Sequence, residues 1–282
     1  MHSPRLHNKR VLVTGAASGI GLETACAFAR RGARLILTDL NGEALARAKA
    51  RIEQLGVACQ AYVCDVADAA AVTACAEQVQ AEGGALDILV NNAGIYFLGG
   101  FLETDNATWQ RMFDVNVLGV LNMTRAFLPA MQAAGGPRRI VNVASLAAFL
   151  GAPNVSAYSA SKHALLGLSD VLAMELAAQR SEVGVLVVCP GIINTQLLGG
   201  KKVGANISPR QPEMQQAYYA RHGCHPEVVA EGIAAQVWST APYLFVGPKA
   251  KLGFYLTRLS RRLARIVSVQ EAHKNGYLDP DA

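Results

Sequence analysis

The stretch RVLVTGAASGIG, residues 10–21, decides the fold. Its first half is an apolar run with no polar alternation, the pattern of a parallel strand buried on both faces. The run ends at Gly15, and a helical pattern starts near Gly19. Glycines at 15, 19 and 21 let the backbone turn sharply and approach an anion at the helix N-terminus, where free N–H groups and the helix dipole favour negative charge. The spacing is G-x-x-x-G-x-G and not the commoner G-x-G-x-x-G. The glycines alone are therefore a weak signal. Their position between a first strand and a first helix makes the loop a candidate pyrophosphate cradle.

Working outward, six further apolar runs read as strands: 34–39, 57–65, 86–92, 138–145, 183–190 and 243–247. Helical patterns lie between them at about 19–31, 41–55, 69–82, 106–134, 156–180 and 226–239. This alternation predicts an α/β fold with a doubly wound, seven-stranded parallel sheet. With no internal repeat and no linker, the chain reads as one catalytic domain over 8–247, followed by a C-terminal extension over 248–282. The long excursion 192–225 carries turn signals at Gly199-Gly200, Pro209 and Pro212 and a short helix around Glu213–Arg221. A loop of that length in a compact domain suggests a lid over a substrate.

The chain is 51% hydrophobic and 17% charged, against averages of about 45–50% and about 25%, so a large core is expected. Six cysteines without a CxxC pair read as buried thiols in a reducing compartment. His222, Cys224 and His225 cluster but lack further ligands at metal spacing, so no metal is expected. The first ten residues have no apolar core of a signal peptide, and no run is long enough to span a bilayer, which suggests a cytoplasmic protein. Of the net charge of +5, six basic residues and no acid fall between Lys249 and Arg265. The body is close to neutral, which argues against nucleic acid as a partner.

Asp39 closes the second strand. An acid there can hold the adenosine ribose hydroxyls and repel a 2′-phosphate, and no basic neighbour offsets it, so NAD is the expected cofactor. The alternative is a cap before Asn41. Asp65, closing the third strand, could accept from an adenine amino group or cap the next helix.

TGAASGIG at 14–21, NNAG at 91–94, Asn116, Ser145, YSASK at 158–162 and PG at 190–191 together resemble the short-chain dehydrogenase/reductase family, over roughly residues 8 to 247. The resemblance implies a Rossmann-type fold and a catalytic set of Ser145, Tyr158, Lys162 and Asn116. Tyr158 would exchange a proton with the substrate oxygen, Ser145 would hydrogen-bond that oxygen, and Lys162 would hold the nicotinamide ribose and lower the tyrosine pKa. Asn116 would support a water relay to Lys162. Gly15, Ser18, Gly19, Ile20, Gly21, Asp39, Leu40, Asp65 and Val66 would line the adenosine side of the cofactor. Asn92, Ala93, Gly94, Tyr158, Lys162, Pro190, Gly191, Ile193 and Thr195 would line the nicotinamide side. The spacing of Tyr158 and Lys162 agrees with this, because residues i and i+4 share a helix face. A nearby ammonium would favour tyrosinate and bring it towards the operating pH.

The segments expected around a substrate are apolar: Ile95, Tyr96, Phe97 and Leu98, then Leu146, Phe149 and Leu150, then Ile192, Leu197 and Leu198. Lys201 and Lys202 are the nearest cations in sequence. Tyr96, Phe149 and Leu197, with Ser145 and Tyr158, are the substrate candidates. They suit a lipophilic secondary alcohol or ketone such as a steroid, a retinoid or a long-chain alcohol. A 3-oxoacyl-thioester reductase is the alternative, although such an enzyme would normally prefer NADP. A cofactor-binding regulator would be expected to lack one of Ser145, Tyr158 or Lys162. In the tail, Leu252, Tyr255, Leu256, Leu259, Leu263 and Ile266 fall on one face of a helix predicted over 251–267, with Lys251, Arg258, Arg262 and Arg265 on the other. Such a helix, part of a basic segment over 249–267, can lie on an anionic membrane or pack on the body or a second subunit. The family resemblance implies a homodimer or homotetramer.

Overall fold

The computed structural model describes residues 6–195, 197 and 203–279. The strands are β1 (Arg10–Thr14), β2 (Arg34–Asp39), β3 (Cys59–Val63), β4 (Ile88–Asn91), β5 (Arg138–Val143), β6 (Val183–Pro190) and β7 (Tyr243–Val246). They form one sheet in the order β3-β2-β1-β4-β5-β6-β7, every pair parallel. Helices α1 (Gly19–Ala29), α2 (Gly42–Glu53), α3 (Ala69–Gly83), α4 (Asn106–Phe113), α5 (Gly119–Ala133), α6 (Ser156–Ala178), α7 (Arg210–His222) and α8 (Pro226–Gln236) connect and cover them. Two C-terminal helices, α9 (Ala250–Leu259) and α10 (Arg261–Lys274), follow β7.

The unbroken apolar runs are explained by burial on both faces. In β1, Val11 and Val13 join a cluster with Phe28 of α1 and Ile233 of α8. Leu12 points the other way, into a cluster with Val79 of α3, Phe127 of α5 and Leu165 of α6. Each such side chain is worth about 1.5–3 kcal/mol on burial. The strand order reverses between β1 and β4, so the helices that leave those strands diverge and open a crevice at the carboxyl ends.

Two helix expectations need correction. The pattern over 106–134 reads as one helix, but a π-helical turn, Asp114–Leu118, separates α4 from α5. A wider turn inserts a residue into the helical ladder without altering the apolar composition, which is why periodicity does not reveal it. It places Asn116 fully buried. The helix predicted over 251–267 is likewise two helices, broken at Ser260 (φ −159°, ψ 112°), whose hydroxyl accepts from the Leu263 amide at 3.2 Å as an N-cap. The face that packs on the body is also not the expected one. Phe254 enters an aromatic cluster with Phe149 and Phe245 (centroids 4.9 and 4.6 Å away), and Gly253 rests on Leu146. That rotation leaves Leu252, Tyr255, Leu259, Leu263 and Ile266 exposed.

Candidate active site

A cavity of about 740 Å³ lies over the carboxyl ends of the central strands. One end is the turn between β1 and α1. Gly15 has φ +61°, and a Cβ there would sit 2.8 Å from the Ala93 Cα, so the chain crosses β4 at a distance only glycine allows. Asn92 ties the two strand ends together. Its side chain donates to the carbonyls of Thr14 (2.9 Å) and Gly15 (3.1 Å), while the Thr14 hydroxyl accepts from the amides of Asn92 (3.0 Å) and Ala93 (2.9 Å). Gly15, Ser18, Gly19, Ile20, Asp39, Asn92, Ala93 and Gly94 all line this end. The Asp39 carboxylate accepts from the amides of Ala17 (3.0 Å) and Asn41 (2.9 Å), so it caps the turn and also faces the cavity.

Four expected cofactor residues are not in the lining. Gly21 packs beneath the loop, where a Cβ would strike the Gly15 carbonyl oxygen. Leu40 is 62% exposed, and Val66 is buried against Gly119 of α5. Asp65 pairs with Arg111 at 3.1 Å and accepts from the Ala67 amide at 2.9 Å, so it holds the turn before α3, and the helix itself is capped by Asp68 and not by Asp65 as the second expectation had it.

The middle of the cavity belongs to β5 and α6. Ser145 follows β5, its hydroxyl accepting from the Ala147 amide at 3.1 Å, and it lines the cavity together with Tyr158. Tyr158 and Lys162 lie one turn apart on α6, with the ammonium 5.8 Å from the phenol ring centroid. Lys162 donates to the Val143 carbonyl at 3.0 Å. Burial pushes its pKa down to about 8. Burial pushes the Tyr158 phenol up, and the nearby Ser145 hydroxyl pulls it back down. The expected lowering by Lys162 is therefore not the governing effect, because burial disfavours the charged forms of both groups. Asn116 stands behind the lining, its side chain holding the Ile95 amide (2.8 Å) and carbonyl (3.0 Å) and donating to Ser161 (3.0 Å). It borders Gly94, where a Cβ would lie 3.2 Å from the Asn116 Oδ1 and 3.6 Å from the Lys162 Nζ.

The family model described as short chain dehydrogenase matches residues 9–204. The chain belongs to this family. It is 39% identical over 255 residues to the probable oxidoreductase EphD of Mycobacterium tuberculosis, covering 88% of this chain and 43% of that protein. The chain thus spans less than half the length of that curated relative. It is 43% identical over 196 residues to the D-threitol dehydrogenase of Mycolicibacterium smegmatis, covering 68% of this chain and 73% of that one. Among solved structures, a short chain dehydrogenase/reductase from Burkholderia phymatum in complex with NAD superposes with a TM-score of 0.85 at 28% identity, covering 92% of this chain and 96% of that chain.

The far wall of the cavity is where sequence and structure part. Pro190, Gly191, Ile193, Thr195 and Leu197 line the β6 side as expected, and Tyr96 stands edge-on to Tyr158 with centroids 5.2 Å apart. Phe149 does not line the cavity. Its ring is drawn into the cluster with Tyr243, Phe245 and Phe254, where three aromatic neighbours outweigh one open face. Leu198, Gly199, Gly200, Lys201 and Lys202 lie outside the described residues. His222, Cys224 and His225 do not converge: His222 packs on Tyr218, and His225 caps α8 by accepting from the Glu227 amide.

Residues the sequence did not single out complete the wall. Gln215 of α7 is 1% exposed and donates to the Tyr96 hydroxyl at 2.9 Å. Tyr219 of α7 and Tyr277, beyond α10, share a hydrogen bond of 2.8 Å between their hydroxyls. The Tyr277 carbonyl is held by Asn154 (2.7 Å) and Gln211 (3.2 Å), which fixes the tail across the cavity mouth. Burial pushes the phenols of Tyr96, Tyr219 and Tyr277 up, so all three remain neutral hydrogen-bonding groups. Leu252, Leu256 and Val267 of α9 and α10 add an apolar strip. Among the described residues no helix is long and apolar enough to cross a membrane.

Proposed function

We propose that this protein is an NAD-dependent oxidoreductase that interconverts a lipophilic secondary alcohol and its ketone, with Tyr158 as the acid/base. One observation carries the reading: Ser145 and Tyr158, with Lys162 one turn along the same helix as the tyrosine, line the same cavity as the glycine turn and the apolar strip. A nicotinamide dinucleotide, when bound, accepts or donates the hydride. The chain does the rest. The turn at 15–21 would hold the pyrophosphate, and the fixed Asp39 carboxylate would accept from the ribose hydroxyls and repel a 2′-phosphate. Lys162, behind the catalytic phenol, would hold the nicotinamide ribose. In oxidation the Tyr158 oxygen takes the alcohol proton, and in reduction it returns one to the carbonyl oxygen. Ser145 donates to that same oxygen and steadies its developing charge. With burial lowering its pKa to about 8, the Lys162 ammonium can give up or take a proton near neutral pH, which an isolated lysine would not do.

The strip formed by Leu146, Leu150, Val155, Ile192 and Leu252 supports an apolar substrate body. A second reading comes from the paired hydroxyls of Tyr219 and Tyr277 and from the likeness to a D-threitol dehydrogenase. Together they favour a substrate bearing a second oxygen. Initial rates with NAD and NADP against steroids, retinol, medium-chain secondary alcohols, tetritols and 3-hydroxyacyl thioesters separate the readings. Turnover of the apolar alcohols, with NAD preferred by about 100-fold or more, is the expected result. Turnover of tetritols alone favours the second reading, and an NADP preference with thioesters would point to the acyl-thioester reductase.

A further inference from the structure

The rotation of α9 onto Phe254 leaves an apolar stripe without a partner. Leu252 (69% exposed), Tyr255 (57%) and Leu259 (81%) follow i, i+3, i+7 spacing along α9, and Leu263, Ile266 and Val269 continue the stripe on α10. The side of these helices that packs on the body is already supplied by Gly253, Phe254, Ala264 and Ala272. The stripe is therefore not a core face in waiting. Its flanks carry Lys251, Arg258, Arg261, Arg262 and Arg265, all exposed, and no acid occurs from 249 to 270. Among the described residues Arg261, Arg262 and Arg265 are in no salt bridge, while Arg258 lies 4.8 Å from the Phe254 ring centroid. The stripe also runs directly into the cavity, because Leu252 belongs both to the exposed line and to the cavity wall, next to Leu256 and Val267.

We propose that α9 and α10 form a docking surface for an anionic lipid bilayer, with the apolar stripe in the acyl boundary and the arginines at the headgroups. Charge complementarity selects this occupant. A bilayer of anionic lipid attracts a basic segment and accepts exposed leucine and isoleucine. A second copy paired about a two-fold axis would instead set the same acid-free arginine cluster against itself. Docking in this orientation turns the α9 wall of the cavity towards the lipid, so an apolar compound could pass from membrane to cavity along Leu252. The docking does not rest on the substrate reading, since it is measured without turnover.

The test is co-sedimentation of the full-length protein with vesicles of phosphatidylcholine alone or phosphatidylcholine mixed with phosphatidylglycerol, at low and high salt, alongside sedimentation velocity without lipid. Binding is expected to the anionic vesicles only and to weaken with salt. The triple variant Arg258→Glu, Arg262→Glu, Arg265→Glu should lower affinity about 10-fold or more. The double variant Leu259→Ser, Ile266→Ser should lower it comparably, and both variants alter exposed positions and should melt as the parent does. Failure to bind anionic vesicles overturns the proposal, as does equal binding to both lipids or binding indifferent to both variants. Self-association that the double variant abolishes, without vesicle binding, would show that a second copy covers the stripe and would overturn it as well.

Discussion

The two ends of the cavity are built by different means. The end over β1, β2, β4 and β5 is made by residues at strand termini, where Gly15, Asp39, Asn92 and Ser145 each sit within a residue or two of a strand whose register holds it. The opposite wall is made by α7 and by the C-terminal helices. There Tyr219 meets Tyr277, 58 positions away in sequence, through one hydrogen bond. A site on strand ends inherits the rigidity of the sheet and can position groups for proton transfer. A wall hung between a loop helix and a tail can change its lining without disturbing the sheet. The difference assigns chemistry to the first end and selectivity to the second.

That division can be broken in three ways. The largest effect is expected from Tyr158→Phe, which should cost about 10³-fold in kcat and leave the dissociation constant for NAD within a factor of about 2. Loss of NAD affinity on the same scale would mean that Tyr158 holds the cofactor and does not transfer a proton. Next comes Lys162→Met, read by urea unfolding. The lysine has a pKa of about 8 when folded and an ordinary value near 10.5 when unfolded. The unfolded chain therefore binds more protons between those limits, and stability contributed through this group rises with pH across them. The stability of the parent minus that of Lys162→Met should increase by on the order of 2–3 kcal/mol from pH 7 to pH 10, and a flat difference would mean the lysine is not held against its charge. The smallest effect belongs to the selective wall. Tyr277→Phe removes one hydroxyl partner and should raise KM about 5-fold, with kcat and NAD affinity unchanged. A fall in kcat instead would place the tail in the chemistry.

How much could be read beforehand follows the same line. The sheet, its seven strands and the glycine turn were legible because runs such as Val11–Leu12–Val13 are buried on both faces, and that demand shows in composition alone. Tyr158 and Lys162 were legible because i and i+4 share a helix face, whereas Ser145 came only with the family resemblance. The π-turn that buries Asn116 was not, since a ladder shifted by one residue leaves no mark on the hydrophobic pattern. Phe149 was misplaced because its destination depends on Phe254, more than a hundred residues away. Tyr277 was invisible for the same reason. Nothing around it carries a motif, and only the return of the tail brings it to Tyr219.

Proton transfer at Tyr158 is set by burial, which raises its pKa, and by Ser145, which lowers it. The direct measurement is the pH dependence of kcat for alcohol oxidation in the parent and in Ser145→Ala. Oxidation needs the tyrosine as a base, so the rate should rise with pH through its pKa. Removing the Ser145 hydroxyl should move that rise to higher pH and lower the plateau by about 100-fold. An unshifted rise, or one that moves to lower pH, would contradict the account.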